Sequence, residues 1–145
     1  MKLSKSFLLL LLIAVGCNNE TGNTKNYEKV PASSWEKYLD KINAEEDNRG
    51  NSVYLFLTST ECAPCLQELK WWNKNAKEVE GVDVKLVLIE RHTSTFNAFV
   101  KAKNINLPTY QDRNGLAVKN DLIPVTPYKV FLAGSSVVKA LEPIG

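Results

Sequence analysis

Three cysteines, one histidine and one methionine are the only soft or borderline metal ligands in 145 residues. Structural zinc normally takes four Cys or His ligands, so the neighbouring sulfurs of Cys62 and Cys65 with one distant histidine, His92, make a poor metal set, and no metal site is expected. An excess of one charge is also missing. There are 18 Lys and Arg against 16 Asp and Glu, and without residues 1–16, which carry Lys2 and Lys5, the balance is neutral. The chain therefore lacks the basic surplus of a nucleic-acid binder. No apolar run approaches the roughly 20 residues of a membrane-crossing helix. Internal repeats and low-complexity segments are absent as well. What is present, 44% apolar and 23% charged residues, is the profile of one soluble domain with one core.

The longest apolar run, Phe7 to Val15, follows Lys2 and Lys5 and leads into Gly16-Cys17. A basic start, a short apolar segment and small residues at its end read as a secretion signal over residues 1–16. Ala14-Val15-Gly16-Cys17 resembles the lipobox of bacterial lipoproteins. That resemblance implies cleavage before Cys17, a lipid on Cys17, and an extracytoplasmic protein anchored in the cell envelope and facing the periplasm or its equivalent. The plainer alternative is an ordinary signal peptide with a spare cysteine. Lipidation uses the odd cysteine of an exported chain and leaves Cys62 and Cys65 as a pair. Residues 17–34 are polar and poor in large aliphatics, the composition of a tether, which puts the folded domain at 35–145.

Cys62-Ala63-Pro64-Cys65 follows the apolar run Val53–Leu57 and opens an amphipathic stretch from Leu66 to Val79. Two sulfurs three residues apart on a helix lie on one face, so they can close a disulfide or open to two thiols without large backbone movement. The first sulfur sits at the positive end of the helix. Such placement can lower a thiol pKa from about 8.5 to about 3.5–7.5, which marks Cys62 as the nucleophile.

The surrounding periodicity places this pair in an α/β chain. Ser33 or Ser34 is positioned to cap a helix with Trp35, Tyr38, Leu39 and Ile42 on one face. Leu66, Leu69, Trp72, Ala76 and Val79 make the expected buried stripe of the cysteine helix, and Val82–Ile89 reads as a second buried strand parallel to the first. Thr93 or Ser94 caps a further helix carrying Phe96, Phe99 and Val100. A short strand around Leu107–Tyr110 and a turn at Arg113-Asn114-Gly115 follow. Pro127–Leu132 and Val137–Leu141, joined at Ala133-Gly134-Ser135, read as an antiparallel hairpin.

This order, with Pro64 inside the motif, Thr126-Pro127 opening the late strand and Gly134 in the closing turn, resembles the thioredoxin fold. Asp112-Arg113-Asn114-Gly115 and the lipoprotein start resemble the membrane-tethered thiol-disulfide oxidoreductases of the TlpA/ResA-like group. The resemblance implies a three-layer α/β/α fold with a mixed central sheet. It also implies an enzyme without cofactor in which Cys62 attacks a substrate disulfide, Cys65 resolves it and Pro127 is a cis proline beside the sulfurs. Ala63, Pro64 and the Thr126 backbone would then contact an extended substrate. Pro124 competes with Pro127 for the cis role, but Pro127 directly precedes the apolar strand. Partners on this view are exported cysteine-containing proteins and an electron-donor protein, and the group favours reduction of the substrate.

Two departures from the pattern matter. Thioredoxin has a buried acid six residues before the first cysteine, where this chain has Phe56. Glu61 and Glu68 are candidates for proton handling, with solvated surface charge as the equal alternative. Only Glu142-Pro143-Ile144-Gly145 follow the hairpin, so a closing helix is not expected, and an apolar face beside the cysteine helix would be free for a partner or a second copy. A peroxidase reading lacks its proline, replaced by Leu55. From another class, a non-catalytic binding module or metal-delivery lipoprotein stays open, to be separated by thiol reactivity. Trp72 is expected in the core, Trp71 nearer the surface and His92 in a surface loop.

Overall fold

A computed structural model describes residues 30–44, 50–60, 62–133 and, by backbone, 136–141. The signal and lipidation assignments, Glu61, the turn residues 134–135 and the last four residues lie outside this range. In chain order the elements are α1 (Ala32–Lys41), β1 (Asn51–Thr58), α2 (Ala63–Asn75), β2 (Asp83–Ile89), α3 (Thr93–Ala102), β3 (Thr109–Asp112), α4 (Leu116–Lys119), β4 (Tyr128–Ala133) and β5 (Ser136–Leu141). The strands form one mixed sheet of order β3-β2-β1-β4-β5. β1, β2 and β3 run parallel, and β4 runs antiparallel to both β1 and β5.

β1 lies at the centre because its run Val53–Leu57 is apolar at every position and so needs cover on both faces. Successive side chains alternate between two cores. Tyr54 and Phe56 pack with Trp35, Tyr38 and Leu39 of α1, whose rings meet Phe56 at centroid distances of 6.0 Å for Trp35 and 6.1 Å for Tyr38. Val53, Leu55 and Leu57 pack on the opposite face with Cys65, Leu69 and Trp72 of α2. Helices on both faces of a mixed sheet give the expected three layers.

Three local assignments differ from the sequence reading. α1 starts at Ala32 behind Pro31, with no side-chain cap from Ser33 or Ser34. β3 lies at Thr109–Asp112 rather than around Leu107–Tyr110, because Pro108 has no N–H for the ladder; its carbonyl instead accepts from Leu86 N at 2.9 Å. The buried stripe of α2 is Cys65, Glu68, Leu69 and Trp72, while Leu66, Ala76 and Val79 are only half-buried.

α4 was not foreseen. Gly115, at φ 62°, takes the left-handed conformation at its start. Asp112, buried, accepts from Leu116 N at 2.9 Å, Ala117 N at 3.0 Å and the Tyr38 hydroxyl at 3.2 Å. Burial, reinforced by the Asp112 carboxylate, pushes the Tyr38 hydroxyl far above its ordinary range, so it stays a donor and locks α1 to the β3–α4 connection. α2 and the half-buried Phe96 and Phe99 of α3 cover the β1–β2 part of the face expected to be bare. Among the described residues, the large apolar side chains left exposed are Trp71, Val118 and Val125, each on a different segment.

Candidate active site

β1 delivers the chain to Cys62, which caps α2 in an extended conformation (φ −123°, ψ 98°). Its Sγ accepts from the Cys65 backbone N–H at 3.3 Å. Pro64 fits the first turn because a helix start needs no N–H there, and no acidic residue in that turn opposes an anion. Cys62 and Cys65 form a disulfide with Cα atoms 5.1 Å apart. The two sulfurs differ in access. Cys62 is half-buried and flanked by exposed Ala63 and Pro64, whereas Cys65 is 1% exposed.

β4 supplies the second wall. Its antiparallel register sets Tyr128 opposite Phe56, so the preceding Thr126-Pro127 step lies at the end of β1 from which the chain turns toward Cys62. That peptide bond is cis, at Pro127 and not Pro124. Thr126 and Pro127 are half-buried, and Val125 just before them is 63% exposed.

Behind the dithiol lies a buried ion pair of which the sequence reading singled out only Glu68. Glu68, one turn after Cys65, is buried rather than solvated, and its Oε1 lies 2.8 Å from Lys129 Nζ of β4. Trp72 Nε1 donates to Glu68 Oε2 at 3.0 Å. Lys129 was not singled out, although a lysine within the otherwise apolar strand Tyr128–Leu132 was the available signal: a buried cation needs a counter-charge. Glu68 falls on the stripe defined by Cys65, Leu69 and Trp72, which was the matching signal on α2. The pair joins the helix that holds the cysteines to the strand that follows Pro127.

A third group orders the approach to Cys62. Ser59 Oγ donates to Glu90 Oε2, and His92 N donates to Glu90 Oε1 at 2.8 Å. Gln111 Nε2 donates to the Glu90 carbonyl at 2.8 Å. Glu90 thus ties the β1–α2 loop to the β2–α3 loop. The Ser59 bond first, then the His92 N–H, hold its carboxyl below the ordinary value of 4.5. A depressed folded-state pKa contributes stability above the unfolded value and loses it as pH falls through the folded one. The melting-temperature difference between the parent and Glu90→Ala is therefore expected to be largest near pH 6 and to shrink below pH 4.5. A difference independent of pH would contradict this. His92 itself is exposed at the start of α3, and no group of three or more metal-binding side chains gathers among the described residues.

The three-layer arrangement, the sheet order and the helix opening at Cys62 define a thioredoxin-like fold. The chain is similar to StoA from Bacillus subtilis (23% identity, TM-score 0.56, covering 66% of this chain and 75% of that one). It is also similar to a putative thiol:disulfide interchange protein DsbE from Chlorobium tepidum (21% identity, TM-score 0.57, covering 66% and 70%). A third likeness is to a secreted Mycobacterium tuberculosis disulfide oxidoreductase (20% identity, TM-score 0.51, covering 63% and 66%). No family profile and no curated protein matches the chain in sequence.

Proposed function

We propose that this chain is a thiol-disulfide oxidoreductase that acts outside the cytoplasm, held to the envelope by a lipid on Cys17 through a tether, and that it reduces disulfides of exported proteins. The observation that carries this reading is the asymmetry of the pair: Cys62 accessible at a helix N-terminus, Cys65 buried behind it.

In the reductive half-cycle the Cys62 thiolate attacks a substrate disulfide, forming a mixed disulfide and releasing one substrate thiolate. The Cys65 thiolate then attacks Cys62 Sγ, breaking the mixed disulfide and releasing the second substrate sulfur. Two electrons have passed to the substrate, and the Cys62–Cys65 disulfide remains. A dithiol electron-donor protein restores the reduced pair. Ala63 and Pro64 are exposed on the approach to Cys62. Thr126 offers backbone hydrogen bonds to an extended segment, and Pro127 forms the wall beside it. Of the carboxylates singled out by sequence, Glu68 shares the buried side of α2 with Cys65, and on this reading it handles the proton of the Cys65 thiol. No metal or organic cofactor enters the cycle.

Cys65→Ser removes the resolving sulfur, so partners should accumulate as mixed disulfides on Cys62. Expressed natively and recovered under acid quench, this variant is expected to carry a small set of exported cysteine proteins, released by reductant. Recovery of none would count against exchange.

A further inference from the structure

We propose that the groove between α2 and the chain leaving α3 is a docking site for an acidic, apolar-containing segment of the protein whose disulfide Cys62 attacks. This rests on the exchange activity proposed above and specifies the partner's chemistry. The groove encloses about 490 Å³. Leu66 and Leu69 form its floor, Leu69 buried and Leu66 half-buried, and Lys70, Lys74 and Lys103 stand exposed at its rim. Among the described residues no acidic side chain lines it and no carboxylate pairs with any of these three lysines. Three cations with no carboxylate partner among the described residues, set around an apolar floor, are complementary to a segment that alternates carboxylates with an aliphatic side chain.

The groove is preformed. Asn73 Nδ2 donates to the Asn104 carbonyl at 2.9 Å and Asn106 N donates to Asn73 Oδ1 at 2.7 Å, which fixes the loop after α3 against α2. A partner therefore need not order this wall on binding. Its concave shape favours a peptide segment over a flat bilayer surface. The groove and the redox pair share one helix: Leu66, the lining residue nearest the pair in sequence, follows Cys65 on α2. Lys70 and Lys74 lie eight and twelve residues beyond Cys62, roughly 12 and 18 Å along the axis at about 1.5 Å per residue. An extended chain covers that span in about four to six residues. The acidic positions of the partner should therefore lie about that far from its reactive cysteine.

The test uses the full chain and three disulfide peptides that are identical except for the residues four to six positions from the reactive cysteine: acidic, neutral or basic. The kcat/KM for the acidic peptide is expected to exceed that for the neutral one by about tenfold at low ionic strength, and to approach parity near 1 M salt, where the screening length is about 3 Å. Replacing the three lysines with glutamine (K70Q/K74Q/K103Q) should bring the ratio to about one, and with glutamate (K70E/K74E/K103E) should invert it in favour of the basic peptide. A cysteine-free acidic peptide should bind the parent in fluorescence anisotropy and lose binding in both variants. Equal turnover of the peptides by the parent, or a preference that survives the substitutions, overturns the proposal. So does binding to phosphatidylglycerol vesicles with no discrimination among peptides, which would assign the lysines to a membrane surface. Anisotropy binding without turnover of any peptide would support the docking site while refuting exchange.

Discussion

Serine at Cys62 is expected to abolish catalysed disulfide exchange, with a fall of at least about 10³-fold in thiol-driven reduction of a protein disulfide, because a hydroxyl is not ionised where a helix-capping thiol is. The partner substitution Cys65→Ser should behave differently: the first attack survives and the cycle stops at the mixed disulfide. Alkylation separates the two sulfurs in the reduced protein. Cys62 of the Cys65→Ser variant should react with an apparent pKa below about 8.5, reflecting the α2 N-terminus and the Cys65 N–H that points at its sulfur. Cys65 of the Cys62→Ser variant should react slowly because it is 1% exposed. Equal reactivity of the two would remove the basis for assigning one as nucleophile.

Lys129→Met is expected to have the largest effect on stability, a loss of about 3–5 kcal/mol measured by denaturant titration, since it leaves the Glu68 carboxylate buried without its cation. Domains of this size have about 5–15 kcal/mol in total, so the variant should be marginal. The double variant Glu68→Gln/Lys129→Met should recover most of the loss. It removes both charges and keeps an acceptor for Trp72 Nε1. Additive losses in the double variant would mean that the two residues act independently, against their 2.8 Å contact. The same single variant should also slow resolution, because an unpaired carboxylate one turn from Cys65 disfavours its thiolate.

The sheet and the redox motif were legible because both are written in local pattern: a fully apolar β1, a sulfur pair at helical spacing, and proline at the head of β4. What escaped depends on contacts distant in sequence. Glu68 and Lys129 are 61 residues apart and each looks like a surface charge until the other is placed. The Ser59–Glu90 tie spans 31 residues and joins two loops that carry no periodicity. α4 is four residues long, too short for a helical repeat to show, and its start depends on Asp112 being held by Tyr38 from α1. The α2 stripe was read correctly at Leu69 and Trp72 but missed Cys65 and Glu68 for a related reason. Leu66 looked more buriable than Glu68, yet the sheet side of the helix belongs to Cys65, and Glu68 shares that side.

An exchange enzyme requires that Cys62 and Cys65 interconvert between disulfide and dithiol while the fold persists. Equilibrating the full chain in thiol–disulfide buffers of graded potential, and counting alkylatable thiols by mass, tests it directly. A single two-electron transition is expected, with a midpoint between about −270 and −120 mV and with Cys62 alkylated first on the reducing side. A pair that stays oxidised below about −300 mV, as structural disulfides do, would contradict it.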